Sequence, residues 1–312
     1  TGVQTCELLP QAPASGSKPA YDNTPTICRA TDIDPVRARL SAPATLRLPV
    51  NRCNLPAEAL ASLAFQLSPV ALEVDGVRPL HGPLFDCLSL VEDATERAAL
   101  FQRHMCAHFL LDDAPAQGLS SAARIDRSRL DYLRLLRGWL FDSEGREGAV
   151  LKSWVESRFG LLTSFHRRPL GDGDCPALRD FERERALGLY ATGALEAQID
   201  LLYTYAQHEL TRRHRGASHL TLYRGISGRD ALPVLDTLAD GYVLVLLNNL
   251  SSFSASRERA DEFGDRVLEC AVPLTKILAF SHLLPGRLQG EDEHLVIGGV
   301  CAARWLPAGS VR

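Results

Sequence analysis

Lysine, paired cysteines and long apolar runs are scarce or missing, and each shortage removes a class of chemistry. Only Lys18, Lys152 and Lys276 occur, so 31 of the 34 basic residues are arginine. None of the three sits in Gly-x-x-x-x-Gly-Lys-Ser/Thr, which excludes a P-loop, and none follows a glycine-rich loop as a kinase requires. Schiff-base chemistry is left with almost no candidate. The eight cysteines are scattered, without a Cys-x-x-Cys pair; this argues against a zinc framework or a compact disulfide module and predicts reduced thiols. His104 and His108 lie four apart, but the Glu of His-Glu-x-x-His and a third ligand are missing, so the pair reads as structural. No apolar run approaches the ~18 residues of a membrane span. No basic start leads into an apolar stretch, so no signal peptide is visible and a cytoplasmic location is expected. A net charge of −4 and a pI near 6.1 exclude the footprint of a general nucleic-acid binder. No Gly-x-Gly-x-x-Gly follows a strand, so a dinucleotide-binding Rossmann unit is a poor reading.

What is present is an ordinary globular balance, 46% hydrophobic and 23% charged over 312 residues, enough for a sizeable core. Residues 1–45 are rich in Pro, Ala, Ser and Thr and read as a mobile or loosely docked extension. Residues 46–216 are mainly helical, with helices expected near Glu58–Phe65, Glu92–Leu111, Arg129–Phe141, Glu147–Phe159 and Phe181–Arg215. In the last of these, Leu187, Ala191, Leu195, Ile199, Leu202, Ala206 and Leu210 form one stripe, and Gly188 and Gly193 are candidate breaks. It closes on Arg212, Arg213, His214 and Arg215 before Gly216, either as capping cations or as a rim that attracts a phosphorylated ligand. Val70–Val74 alternates toward an Asp75-Gly76 turn. Residues 217–312 change character: Leu220–Ile226, Tyr242–Leu247, Arg266–Val272 and His294–Ile297 are strand-like, Val300–Leu306 more weakly so, with a short helix at Arg257–Phe263. Helices followed by strands predict an α+β fold.

Three motifs in this strand-rich part carry chemistry. Leu222-Tyr223-Arg224-Gly225 ends an apolar strand on an arginine, which is either a structural ion pair or a fixed fork of donors for phosphate or carboxylate. Leu250-Ser251-Ser252-Phe253-Ser254-Ala255-Ser256 places hydroxyls where a strand meets a helix. They cap that helix, with Ser256 as N-cap, or one of them orients a carboxylate or a ribose. Gly290-Glu291-Asp292-Glu293-His294 sets acidic residues before an apolar strand. In extended chain Glu291 and Glu293 share a face, which makes sense if two carboxylates act on a cation; the alternative is a loop merely rich in charge.

In the order Arg, Ser-x-Ser, Glu-x-Glu, the set resembles the arginine–serine–glutamate signature of mono-ADP-ribosyltransferases, over Tyr223–Ile297. A closer resemblance covers most of the chain. Leu48-Pro-Val-Asn-Arg-Cys-Asn-Leu-Pro56, Leu63-Ala-Phe-Gln66 and Leu72-Glu-Val-Asp-Gly-Val77 look like the opening of the bacterial dinitrogenase reductase ADP-ribosyltransferases. The resemblance implies a core of two small β-sheets forming an NAD cleft, NAD+ as substrate, and dinitrogenase reductase, the nitrogenase iron protein, as partner. One of its arginines would be modified and the protein switched off. A PII-type signalling protein is a further partner implied by the family. By the same resemblance Glu293 opposes the oxocarbenium-like charge that develops on the ribose, and Glu291 engages the acceptor guanidinium. Arg224, with Gly225 beside it, belongs to the NAD site, as do Ser252 and Ser254, of which Ser254 is favoured as the key hydroxyl. No metal is required, because nicotinamide is already a good leaving group. Leu283, Leu284 and Arg287, just before the glutamates, are placed to touch the target protein. The alternatives are an NAD glycohydrolase, an arginine transferase with another target, and a non-catalytic α+β module that docks a basic partner.

Overall fold

The computed structural model describes residues 33–111, 131–171, 173, 175–189, 193–228, 232–286 and 292–306. Eleven helices precede or interrupt eight strands among these residues. The helical part holds α1 (Pro35–Ala38), α2 (Ala57–Leu60), α3 (Leu63–Leu67), α4 (Val77–Leu80), α5 (Gly82–Leu90), α6 (Ala94–Phe109), α7 (Tyr132–Phe141) and α8 (Arg146–Phe159). A two-stranded hairpin follows, β1 (Phe165–His166) and β2 (Arg168–Pro169), then α9 (Pro176–Leu189) and α10 (Ala194–Arg213). The strand-rich part holds β3 (His219–Ile226), β4 (Val234–Thr237), β5 (Tyr242–Ser254), α11 (Arg257–Asp261), β6 (Arg266–Pro273), β7 (Ile277–Phe280) and β8 (Glu293–Leu306). The α+β expectation holds.

Local chemistry explains most boundaries. Asp93 caps α6 by accepting from the Glu96 N–H, and Asp131 caps α7 by accepting from Leu133. Ser62 caps α3 through the Phe65 N–H, so the single helix expected over Glu58–Phe65 is two short ones. The long helical signal over Phe181–Arg215 likewise breaks, between Leu189 and Ala194. Val70–Val74 does not form a strand; Val74 makes one isolated bridge to Cys53.

All six strands from β3 to β8 join one antiparallel network in the order β4-β5-β3-β6-β8-β7, with β5 also paired to β8. The family resemblance implies two small sheets forming a cleft. The long strands β5 and β8, 13 and 14 residues, pair along most of their length and merge them into one. That ladder contains a bulge: Leu247 faces Gly299 and Leu250 faces Ile297, so Asn248 and Asn249 together oppose Gly298. A Cβ on Gly298 would collide with the Asn248 carbonyl, so the crossing needs glycine. The bulge also aims both asparagines at the helical part. Asn249 donates to the Lys152 and Leu161 carbonyls (2.9 and 3.1 Å), and Asn248 accepts from Ser164 (3.0 Å) and donates to Phe165 (2.9 Å).

One buried apolar cluster runs through both parts. Gln66, from the Leu63–Gln66 motif, is 3% exposed and bonds the Ala271 and Ala302 carbonyls and the Ala302 N–H, so it stitches α3 to β6 and β8. Asn51 and Asn54, from the earlier motif, brace loop carbonyls at Leu55 and Ala71. These motifs are therefore structural. Of the loosely docked extension expected over 1–45, the described residues from Ile33 on are packed: Ile33 and Ala42 are buried in the core and Arg37 pairs with Asp236 at 2.8 Å; residues 1–32 lie outside the described residues. Cys270 and Cys301 lie with their sulfurs in contact, a meeting that sequence spacing does not reveal. They are joined as a disulfide between β6 and β8, where the scattered spacing predicts reduced thiols. No helix among the described residues is long and apolar enough to cross a membrane.

Candidate active site

Arg224, Ser252, Ser254 and Glu293 come from three strands and meet at one cleft of about 550 Å3, walled also by Trp139, Tyr223 and Phe263. Strand register makes the meeting. Tyr223 on β3 faces Ser254 on β5, and Ser254 faces Glu293, the first residue of β8. Ser252 and Ser254 are two apart on β5, so their side chains point to the same face. An adjoining cavity of about 230 Å3 shares Trp139, Arg224 and Ser252 and continues past Glu144 and Asn248.

The hydrogen bonds converge on Ser252. Its carbonyl accepts from Arg224 Nη1 at 2.8 Å, which fixes the guanidinium plane at the cleft. Its hydroxyl accepts from the Trp139 indole at 2.9 Å, and the same N–H reaches Glu293 Oε1 at 3.1 Å. One donor on α7 thus orients a serine and a carboxylate together. Ser254 is 8% exposed, and its Oγ accepts from the Ser256 N–H at 3.0 Å. Ser256 Oγ accepts from Arg259 and caps α11, as expected. Ser254 was favoured as the key hydroxyl; the bonds instead join Ser252 to Arg224 and Trp139, while Ser254 is bound up with the turn into α11.

Glu293 is also held through its backbone, whose carbonyl accepts from the Ser281 N–H at 3.0 Å. Asp292 just before it has φ +51°, a left-handed conformation that Asp tolerates. The chain is therefore not extended through Asp292, and the argument that Glu291 and Glu293 share a strand face does not apply. Glu291 and Arg287 themselves lie outside the described residues. Leu283 and Leu284 are each 0% exposed, so they belong to the core and do not form a target contact. Their apolar side chains turn inward because the Ser281–Gly286 loop folds against the sheet, where Arg213 donates to the His282 carbonyl at 2.9 Å. Arg212, from the cluster closing α10, is structural in the same way: it donates to the Ser89 and Val91 carbonyls. At Gly225 an added Cβ would collide with the Ala260 carbonyl of α11, so this glycine allows the helix to pack on β3.

Two site neighbours escaped the sequence reading. Trp139 is 2% exposed, one of three tryptophans, on the helix expected over Arg129–Phe141. Lys152, one of the three lysines, is buried among apolar neighbours on α8, 5.8 Å from the Trp139 ring. It donates to Glu144 at 2.7 Å and to the Phe165 carbonyl at 3.2 Å. Burial lowers its pKa, Glu144 opposes that shift, and the positive charge of Arg224 adds to it. Behind it His166 meets Glu184 at 2.9 Å, its own pKa lowered by burial against that carboxylate's pull. Burial, with Glu269 beside it, raises the Tyr223 pKa and keeps the phenol neutral. The cleft therefore combines an apolar wall, the Arg224 cation and the Glu293 carboxylate oriented by Trp139, a set suited to an anionic ligand that develops positive charge at one carbon.

Residues 50–305 match the model of the dinitrogenase reductase ADP-ribosyltransferase family. The chain belongs to that family. A relative from Rhodospirillum rubrum, an NAD(+)–dinitrogen-reductase ADP-D-ribosyltransferase, is 38% identical over 256 residues, covering 80% of this chain and 91% of the relative. No solved structure matches the chain.

Proposed function

We propose that this protein uses NAD+ to ADP-ribosylate one arginine of dinitrogenase reductase, which inactivates that protein and regulates nitrogen fixation. Family membership supports the activity and the target. The observation that carries the site assignment is the single Trp139 N–H shared between Ser252 and Glu293, in the cleft where Arg224 is tied to the same serine. The finer fold reading, a mono-ADP-ribosyltransferase-like core whose strands frame an NAD+ cleft, is part of this proposal.

In the reaction the bond between ribose C1′ and the nicotinamide nitrogen breaks. Its electron pair leaves with nicotinamide, which becomes neutral, and positive charge spreads over C1′ and the ring oxygen. Glu293 supplies the opposing charge, preorganised by the Trp139 indole N–H. One such group contributes about 3–4 kcal/mol. Arg224 holds the pyrophosphate with its planar fork. The acceptor guanidinium, with a pKa above ~12, is a poor nucleophile until it loses a proton as the new C–N bond forms. Glu291 is assigned that proton by the family resemblance.

The test is label transfer from NAD+ to purified iron protein, to the same protein with its acceptor arginine replaced, and to free agmatine, with nicotinamide release followed in parallel. Transfer to the unaltered iron protein alone is the expected result. Efficient transfer to agmatine with none to the iron protein would remove the target assignment. Glu291→Gln should abolish arginine transfer and leave slow NAD+ hydrolysis; equal loss of both would place Glu291 in the NAD+ site instead.

A further inference from the structure

A cluster of three histidines lies outside the cleft and plays no part in the reaction above. His104 and His108 are one turn apart on α6, and the third ring, missing from the local sequence, is His81. His81 occupies the corner between α4 and α5. Its N–H donates to the Val77 carbonyl, and its carbonyl accepts from Leu84 and Phe85, so the backbone is pinned at both helix ends. Its side chain is 5% exposed and turned toward α6.

The rings are arranged around a common point. His81 Nδ1 is 3.1 Å from His104 Nε2. The His104 and His108 rings lie parallel with centroids 5.6 Å apart, and His81 stands edge-on to both, 5.3 and 4.7 Å away. One nitrogen from each ring lies within 4.8 Å of the other two. Two ligands at about 2.05 Å from a tetrahedral ion are about 3.3 Å apart, so the first pair already has ligand spacing, and the His108 nitrogen lies within 4.8 Å of both. A direct N–H···N bond would use one pair of nitrogens and leave the third ring unused.

We propose that His81, His104 and His108 form a binding site for a borderline divalent transition-metal ion, of which Zn2+ is the type, with a solvent molecule at the fourth position. Three imidazoles without a carboxylate select Zn2+, Co2+ or Ni2+ over Mg2+ or Ca2+, which require oxygen ligands. Neutral rings are the ligating form. Burial, followed by the charges of His108 and His104, lowers the His81 pKa to about 4, and burial also lowers that of His104. His108 is exposed, which leaves the fourth position open to water. The ion would cross-link the α4–α5 corner to α6 and so brace the helical part. It has no role in bond cleavage at the cleft.

The full chain, freed of metal by chelation and dialysis, is titrated with Zn2+ by calorimetry and with Co2+ by visible absorption. One Zn2+ per chain with Kd below about 1 µM and the intense absorption of tetrahedral Co2+ are expected, with no competition from Mg2+. His108→Gln lies at an exposed position and should keep the fold by circular dichroism while weakening Zn2+ binding at least ~100-fold, more than a lost outer-shell partner costs. His104→Gln should match it. Zn2+ should raise the melting temperature of the wild type and not of His108→Gln. Absence of tight binding in the wild type would overturn the site. Binding of equal strength in folded His108→Gln, as from cysteine thiols, would overturn it too.

Discussion

Arg224, Ser252 and Glu293 owe their positions to strand register, whereas Trp139 and Lys152 owe theirs to helices docked on the sheet from outside. The first three lie within seventy residues of one another in the chain and are joined by ladder pairs such as Ser254 with Glu293. The other two arrive from α7 and α8, and what brings α8 to the cleft is the Asn248–Asn249 bulge on β5. In the proposed function the strand-rich part holds the groups that meet NAD+, and the helical part holds Trp139, which orients them. A site divided in this way should lose chemistry when the first set is changed, and precision or stability when the second is.

The largest effect should come from Glu293→Gln, which keeps the shape and removes the charge. Transfer and nicotinamide release should both fall about 10²–10³-fold in a protein with an unchanged melting curve; retention of a tenth of wild-type turnover would move the catalytic role elsewhere. Arg224→Ala should come next. Losing a charged, bidentate donor to phosphate costs about 1.5–3 kcal/mol, read as a tenfold or greater rise in KM for NAD+. Arg224→Lys should recover only part, since an ammonium lacks the planar fork. An unaltered KM would make Arg224 a structural residue.

Trp139→Phe tests the helical contribution. It keeps an aromatic wall and deletes the one N–H that Ser252 and Glu293 share, so kcat should drop about tenfold with KM little changed. A loss as large as that of Glu293→Gln would mean that Trp139 touches the reacting atoms and that the helical part supplies chemistry as well as orientation. The smallest effect on activity should be that of Asn249→Ala. It strips donors from two backbone carbonyls at a 3% exposed position, a cost of about 1–3 kcal/mol of stability. The melting temperature should fall by several degrees, with turnover at low temperature nearly intact.

Elements whose signal is local were legible from the sequence. The strands around Leu222, Val243 and Leu268 and the helices ending near Phe109, Phe141 and Phe159 follow from periodicity and capping residues within a few positions of themselves. The Arg–Ser–Glu order was legible because it lies in one stretch of chain. The role of Leu283 and Leu284 was not, since two leucines before an acidic turn look the same whether they face a partner or fold into the core. Nor did the His104–His108 pair show its third ring, which is 23 residues away from His104.

By itself the sequence determined the α+β class, the family, and the identity of the groups that carry charge, because these depend on residue types and on spacings along the chain. Tertiary structure alone decided that Ser252 rather than Ser254 is bonded to both Arg224 and Trp139, and that the strands form one network. It also decided that Asp292 turns the chain just before Glu293 and that Lys152 lies behind the cleft. The physical reason is common to all of these. A hydrogen bond at 3 Å and a side chain's exposure depend on what packs against a residue from distant chain, through bulges and helix docking that no local pattern encodes.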